Sequence, residues 1–145
     1  MQDVQKMVED LYRKDHKRVY GVLLDLQKMS EESDVVYGYF DRYMEMIEDE
    51  NSYVRVRGLL LVCANAKWDT EHKIEENLDK IIAHAADVKP AVSRQFLQAL
   101  PQLIVHKPML KEDIIRQLKS IDISGYKESM RQLVYRDIER IIQEA

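Results

Sequence analysis

The sequence repeats itself, and the repeat limits what it can fold into more than any other feature. Shifted by 38 positions, "DENSYVRVRG" from Asp49 falls on "DVKPAVSRQF" from Asp87, matching Asp49, Val54, Leu59 and Val62 with Asp87, Val92, Leu97 and Leu100. The same shift continues to Met130, Tyr135 and Ile138. A second template lies between these segments: Tyr39, Tyr43 and Ile47 match Ile74, Leu78 and Ile82 at a shift of 35, and these match Leu110, Ile114 and Leu118 at a shift of 36. In each template the apolar positions fall on one stripe of a helix, which a neighbouring helix must cover. A single helix pair cannot bury such a stripe, whereas a stack of pairs can. The alternation Tyr53-Val54-Arg55-Val56-Arg57 has the period of a half-buried strand, but its match to the segment 38 residues on makes it the first turn of a helix.

Punctuation along the chain agrees. Ser33 or Asp34 is placed to cap a helix running to Glu48, Ser52 one running to Lys67, and Asp69 or Thr70 opens the next. Pro90 and Pro108 stand where a first-turn proline is tolerated, and Ser124 or Gly125 precedes the last helix. The polar run "RKDHKR" divides an amphipathic helix at residues 2–12 from a second one through Val19, Val22, Leu23 and Leu26. The segment "LLLVCANA" is apolar nearly all round, as an inner helix pressed on several sides requires, and Gly58 within it would permit close helix approach. Pro101 should kink its helix. The expectation is an all-α chain of eight helices in one domain, residues 1–145, with helix pairs at 2–30, 33–67, 70–105 and 108–144. Four glycines, three prolines and 33% charged residues fit an all-helical protein.

An Asp, then a Ser or Pro, then Val and Arg opening an apolar helix resembles the HEAT-repeat signature: Asp49, Ser52, Val54 and Arg55, and again Asp87, Pro90, Val92 and Arg94. In the second copy the arginine falls two places after the valine. More narrowly, "NSYVRVRG", "NAKWD", "ALPQL", "HKPML" and "YKESM" resemble a group of small bacterial HEAT-like proteins. The resemblance implies a right-handed α-α superhelix, a HEAT/ARM-like solenoid of about four helix pairs, and a ladder in which the arginine of each inner helix meets a turn aspartate. Asp49, Asp87 and Asp122 are the acids available to Arg55, Arg94 and Arg131.

Composition narrows the function. The net charge of −4 combines a segment 31–50 with eight acids and one base and a segment 91–121 with five bases and two acids. That is a poor footprint for nucleic-acid binding, which favours a basic stripe on a basic domain. One cysteine, Cys63, excludes an internal disulfide framework and any all-cysteine metal site within one chain. No apolar run approaches the ~20 residues of a membrane span, and a cytoplasmic location is expected. His16, His72, His84 and His106 lack metal-ligand spacing, and neither a phosphate loop nor a nucleophile elbow is present. No catalytic residue, metal or cofactor is therefore expected.

Arg55, Arg57, Lys89 and Arg94, with Trp68, remain as candidate binding residues. Arg with a nearby aromatic is a hot-spot composition, and Arg57 and Trp68 fall within about 20° of each other at ~100° per residue. Against this, Arg55 and Arg94 suit a structural ladder, Trp68 a plug between helix ends, and Tyr39 and Tyr43 core positions beside a partly exposed Tyr37. The functional expectation is a non-enzymatic scaffold whose surface holds a protein or peptide partner. A DNA-binding or DNA-repair helical-repeat protein is the first alternative, and a self-assembling structural protein the second.

Overall fold

The computed structural model describes residues 3–144. The described residues are all-helical, in nine α-helices joined by short 3₁₀ turns: α1 (Val4–Asp10), α2 (His16–Glu32), α3 (Phe40–Met46), α4 (Ser52–Ala64), α5 (Lys73–Glu76), α6 (Leu78–Ile82), α7 (Pro90–His106), α8 (Lys111–Lys119) and α9 (Glu128–Glu144). The helix expected from residue 2 begins at Val4, and residues 1, 2 and 145 lie outside the described residues.

Local chemistry sets the boundaries. The break at "RKDHKR" is present, and Asp15 caps α2 by accepting from the Arg18 N–H at 3.3 Å. Asn51, one place before Ser52, caps α4 through the Tyr53 N–H at 2.8 Å. α7 continues through Pro101. Two expectations need correction. The helix placed from Ser33 starts only at Phe40, after a 3₁₀ turn over Tyr37–Tyr39; Val36 is held outside it because its carbonyl accepts the Tyr43 hydroxyl at 2.9 Å. The count is nine rather than eight because the helix expected after Thr70 divides into α5 and α6 at Asn77, whose side-chain amide donates to the Lys73 carbonyl at 2.8 Å.

The helices pack in two rows. α2 and α4 run parallel: the Arg57 guanidinium reaches the Leu11 carbonyl just before α2 at 2.9 Å, while beyond α4 the Trp68 indole donates to the Ser30 carbonyl near the end of α2 at 2.6 Å. α4 and α7 are parallel in the same sense, joined by Arg55 and Asp87 at their starts and by Lys107 and the Asp69 carbonyl, at 2.9 Å, past their ends. Arg94 on α7 meets Asp137 on α9. In the second row, Lys73 of α5 meets Asp41 of α3 at 2.9 Å, and Gln117 of α8 donates to Asp79 of α6 at 3.0 Å. The sequence period reappears in these bonds, since Trp68 to Ser30, Lys107 to Asp69 and Gln117 to Asp79 each span 38 residues.

The core runs through both rows, from Val8 and Leu11 to Ile138 and Ile141, with Phe40, Tyr43 and Phe96 fully buried. α4 is enclosed on nearly every side, leaving Tyr53 exposed and Leu60 half-buried. α3 presses on it at Gly58, where an added Cβ would lie 2.8 Å from Met46 Cβ and 2.9 Å from the Tyr43 carbonyl oxygen. Alanine is the better helix former by about 1 kcal/mol, so a freely exposed Gly58→Ala would stabilise. In this structure it should instead lower the unfolding free energy by roughly 1–3 kcal/mol, the usual cost of overpacking; denaturant unfolding reads the sign directly.

Candidate functional site

Four of the five sequence-derived candidates have their polar groups occupied within the chain. Arg55 is 8% exposed. It grips Asp87 with two parallel bonds, Nε to Oδ1 at 3.0 Å and Nη2 to Oδ2 at 2.9 Å, and gives Nη1 to the Asp49 and Glu50 carbonyls at 3.0 Å each. Such a fork adds geometric specificity to charge. Arg94 makes the same double contact with Asp137, at 2.9 and 3.2 Å, and not with the turn acid Asp87. Arg131 turns to the Tyr126 carbonyl, while exposed Asp122 accepts from the Ser124 N–H. The ladder expected from turn aspartates thus exists at Arg55, changes its acid at Arg94 and is absent at Arg131.

Arg57 is 5% exposed. Its guanidinium holds the α1–α2 break, donating to the carbonyls of Leu11 at 2.9 Å and Arg13 at 3.2 Å, with His16 Nδ1 at 3.2 Å. The Tyr53 ring lies below it at 5.7 Å and stacks on His16 at 3.9 Å. Trp68 is half-buried and bonds at the opposite end of α2. The shared surface expected of Arg57 and Trp68 does not form: their helical angles coincide, but eleven residues separate them by about 16 Å along an axis rising ~1.5 Å per residue. Lys89 is exposed, and its backbone N–H, at 2.8 Å, also serves Asp87.

A second aspartate, which the sequence suggested only as a helix opener, organises the opposite edge. Asp69 is 3% exposed and accepts from the Tyr37 hydroxyl at 2.7 Å and the N–H groups of Lys73 and Ile74 at 3.0 and 2.9 Å. The buried Lys107 ammonium lies 3.2 Å from its carboxylate and 2.8 Å from Glu75. Tyr37, expected to be partly exposed, is buried by this contact. Burial alone would raise the Asp69 and Asp87 carboxyls, but the hydrogen bonds from Ile74, Tyr37, Lys73 and Lys107 to the first, and from Arg55, Lys89 and His84 to the second, hold both below the usual carboxylate range. Burial pushes the Cys63 thiol up to about 12, which removes the thiolate that nucleophilic chemistry needs.

Exposed large apolar side chains lie elsewhere, Val35, Val88, Val105, Met109 and Tyr135 among them. Tyr20 is 62% and Leu24 46% exposed on α2, and Tyr53 is 52% exposed on α4 with Leu60 half-buried two turns on. Tyr53 lies across α4 from Gly58, so this strip faces away from α3. Sequence reasoning passed over these residues because they read as members of apolar helices; the available signal was that Tyr20 and Leu24 sit off the stripe of Val19, Leu23 and Leu26. Two concavities are lined differently. One, of about 440 Å³, is walled by Asp3, Gln5, Lys6, Glu9, Asp10 and Arg13, and a notch of about 60 Å³ lies among Pro101, Ile104, Val105, Ile141 and Glu144. Neither contains a histidine, a cysteine or a hydroxyl nucleophile. No family model, curated protein or solved structure matches the chain.

The occupied arginine and the exposed lysine should separate cleanly by stability. Arg57→Ala leaves the buried Leu11 carbonyl without this donor and should cost about 1–3 kcal/mol, whereas Lys89→Ala should stay within about ±0.5 kcal/mol, both read from urea midpoints.

Proposed function

We propose that the chain is a non-enzymatic binding module, a short HEAT-like solenoid of four helix pairs whose inner row, α2, α4, α7 and α9, holds a protein or peptide. The 38-residue span of the bonds Trp68 to Ser30 and Lys107 to Asp69 supports the solenoid, since the ends of α4 and α7 each meet the preceding inner helix at about the same repeat position. The observation that carries the binding function is the exposure of Tyr20, Leu24 and Tyr53, with half-buried Leu60, on two adjacent inner helices. An exposed apolar patch on a soluble surface marks an interaction site, and tyrosine brings large contact area at small entropic cost. No helix among the described residues is long and apolar enough to cross a membrane. A cytoplasmic setting suits the single buried thiol, Cys63.

A protein partner is favoured over nucleic acid because the inner arginines Arg55, Arg57 and Arg94 are engaged by carbonyls and aspartates instead of standing free for phosphate. A photo-crosslinking residue placed at Leu24 or Tyr53, compared with one at Glu112 on the outer row, tests the proposal in native lysate. The expected result is one protein captured in common from both inner positions and absent from the outer one. Equal capture from all three positions, or none from the inner two, contradicts it.

A further inference from the structure

One contact beside the Arg55–Asp87 pair is only half made. His84 stands in the 3₁₀ turn Ala83–Ala86, between two carboxylates, with its side chain 12% exposed. Its Nδ1 lies 2.9 Å from Asp87 Oδ1, and its Nε2 lies 3.9 Å from Oε1 of Glu48 in the turn after α3. The first distance is that of a hydrogen bond, and the second is too long for one.

The partners fix which nitrogen carries the proton. Burial works against the charge on Asp87, but the bonds from Arg55, the Lys89 N–H and His84 hold its carboxyl below the usual carboxylate range. An ionised carboxylate only accepts, so Nδ1 is the N–H of the ring. In a neutral ring Nε2 is then a bare acceptor whose neighbour, Glu48, is an acceptor too. Charging the ring puts a proton on Nε2 and turns that neighbour into a partner. Imidazole is the side chain whose ordinary change of charge falls between about pH 5 and 8.

The charges around the ring come from every element packed near it. The turn after α3 brings Glu48 and the half-buried Asp49, with exposed Glu45 one turn earlier. On α4, Arg55 is already taken up by Asp87 and two carbonyls. On α6, Lys80 is exposed one turn before His84. The turn before α7 brings Asp87 and the exposed Lys89, and Arg94 on α7 is bound to Asp137. Glu48 is thus the one carboxylate that lies near Nε2 while Asp87 holds Nδ1.

We propose that His84 is a proton-operated latch between the two rows: charging its ring closes the contact of Nε2 with Glu48 and ties the turn after α3 to the Arg55–Asp87 junction. The same turn already gives its Asp49 and Glu50 carbonyls to Arg55. With the latch closed, Arg55, Asp87, His84 and Glu48 form a circuit around residues 48–50. With the ring neutral, the Arg55 bonds hold that turn without it. The contact favours the charged ring, so it strengthens the folded state as pH falls through the imidazole range and is lost as pH rises through it. Glu48 is 60% exposed, and water screens the closed contact to the strength of a surface ion pair. A contact of that strength stiffens one turn and leaves the fold in place on both sides of the transition.

A double-mutant cycle of His84→Gln and Glu48→Gln, unfolded in urea at about pH 5.5 and again at about pH 8, tests the latch. At the lower pH the two positions should be coupled by about threefold or more in the folding equilibrium constant. At the higher pH the coupling should vanish within error. Hydrogen exchange of the Glu48 and Asp49 amides, which bond to the Glu45 and Met46 carbonyls, gives a second reading in the unsubstituted chain and in Glu48→Gln alone, whose substituted side chain is exposed. Corrected for intrinsic rates, protection at these amides should rise towards the lower pH only where Glu48 is present. Coupling that is equal at the two pH values, or larger at the higher one, overturns the latch, as does protection that changes alike in both chains.

Discussion

The double hydrogen bond between Arg55 and Asp87 joins the middle of the structure. Arg55 belongs to the first turn of α4 and Asp87 to the turn before α7, so the contact fixes how one inner helix sits beside the next. Neither charge is accessible, their side chains being 9% and 3% exposed, and a buried ion is tolerated only when its remaining hydrogen-bonding capacity is filled. That condition is met. The spare donor of Arg55 takes two carbonyls, and Asp87 also holds His84 and the Lys89 N–H while its carbonyl accepts the Tyr126 hydroxyl. One residue thereby connects α4, its own turn and the turn leading to α9.

Asp69 does the corresponding work at the other edge, where Tyr37, the start of α5 and Lys107 converge. Between the two edges the apolar stripes need only be covered, and the close approach at Gly58 brings the rows together. The buried charges thus serve internal geometry. The surface these contacts leave bare includes Tyr20 and Leu24 on α2 and Tyr53 on α4.

The periodicity that predicted helices was legible because burial imposes the same stripe on every copy, and Asp87 was among the turn acids that the resemblance to HEAT repeats offered to the arginines. Arg57 was legible as a cation but not as an occupied one. A helical wheel carries angle without axial distance, and the carbonyls of Leu11 and Arg13 that engage Arg57 belong to a break more than forty residues away. The division at Asn77 escaped for a related reason, since a side chain bonding its own backbone competes with helix continuation and leaves no mark on hydrophobic spacing. His72, left-handed at φ 60°, opens α5 in a conformation that few non-glycine residues adopt. The open strip was hidden because Tyr20, Leu24, Tyr53 and Leu60 differ from core residues in neighbours, not in chemistry.

A double-mutant cycle on the central junction tests the account most directly. Arg55→Ala and Asp87→Ala are each expected to cost about 3–5 kcal/mol, because each strands a buried charge. Removing both should cost less than the sum by about 2 kcal/mol or more, well within the range of coupled neighbours. If instead the two losses add to within about 0.5 kcal/mol, the residues act independently, and the stack is not held by this pair.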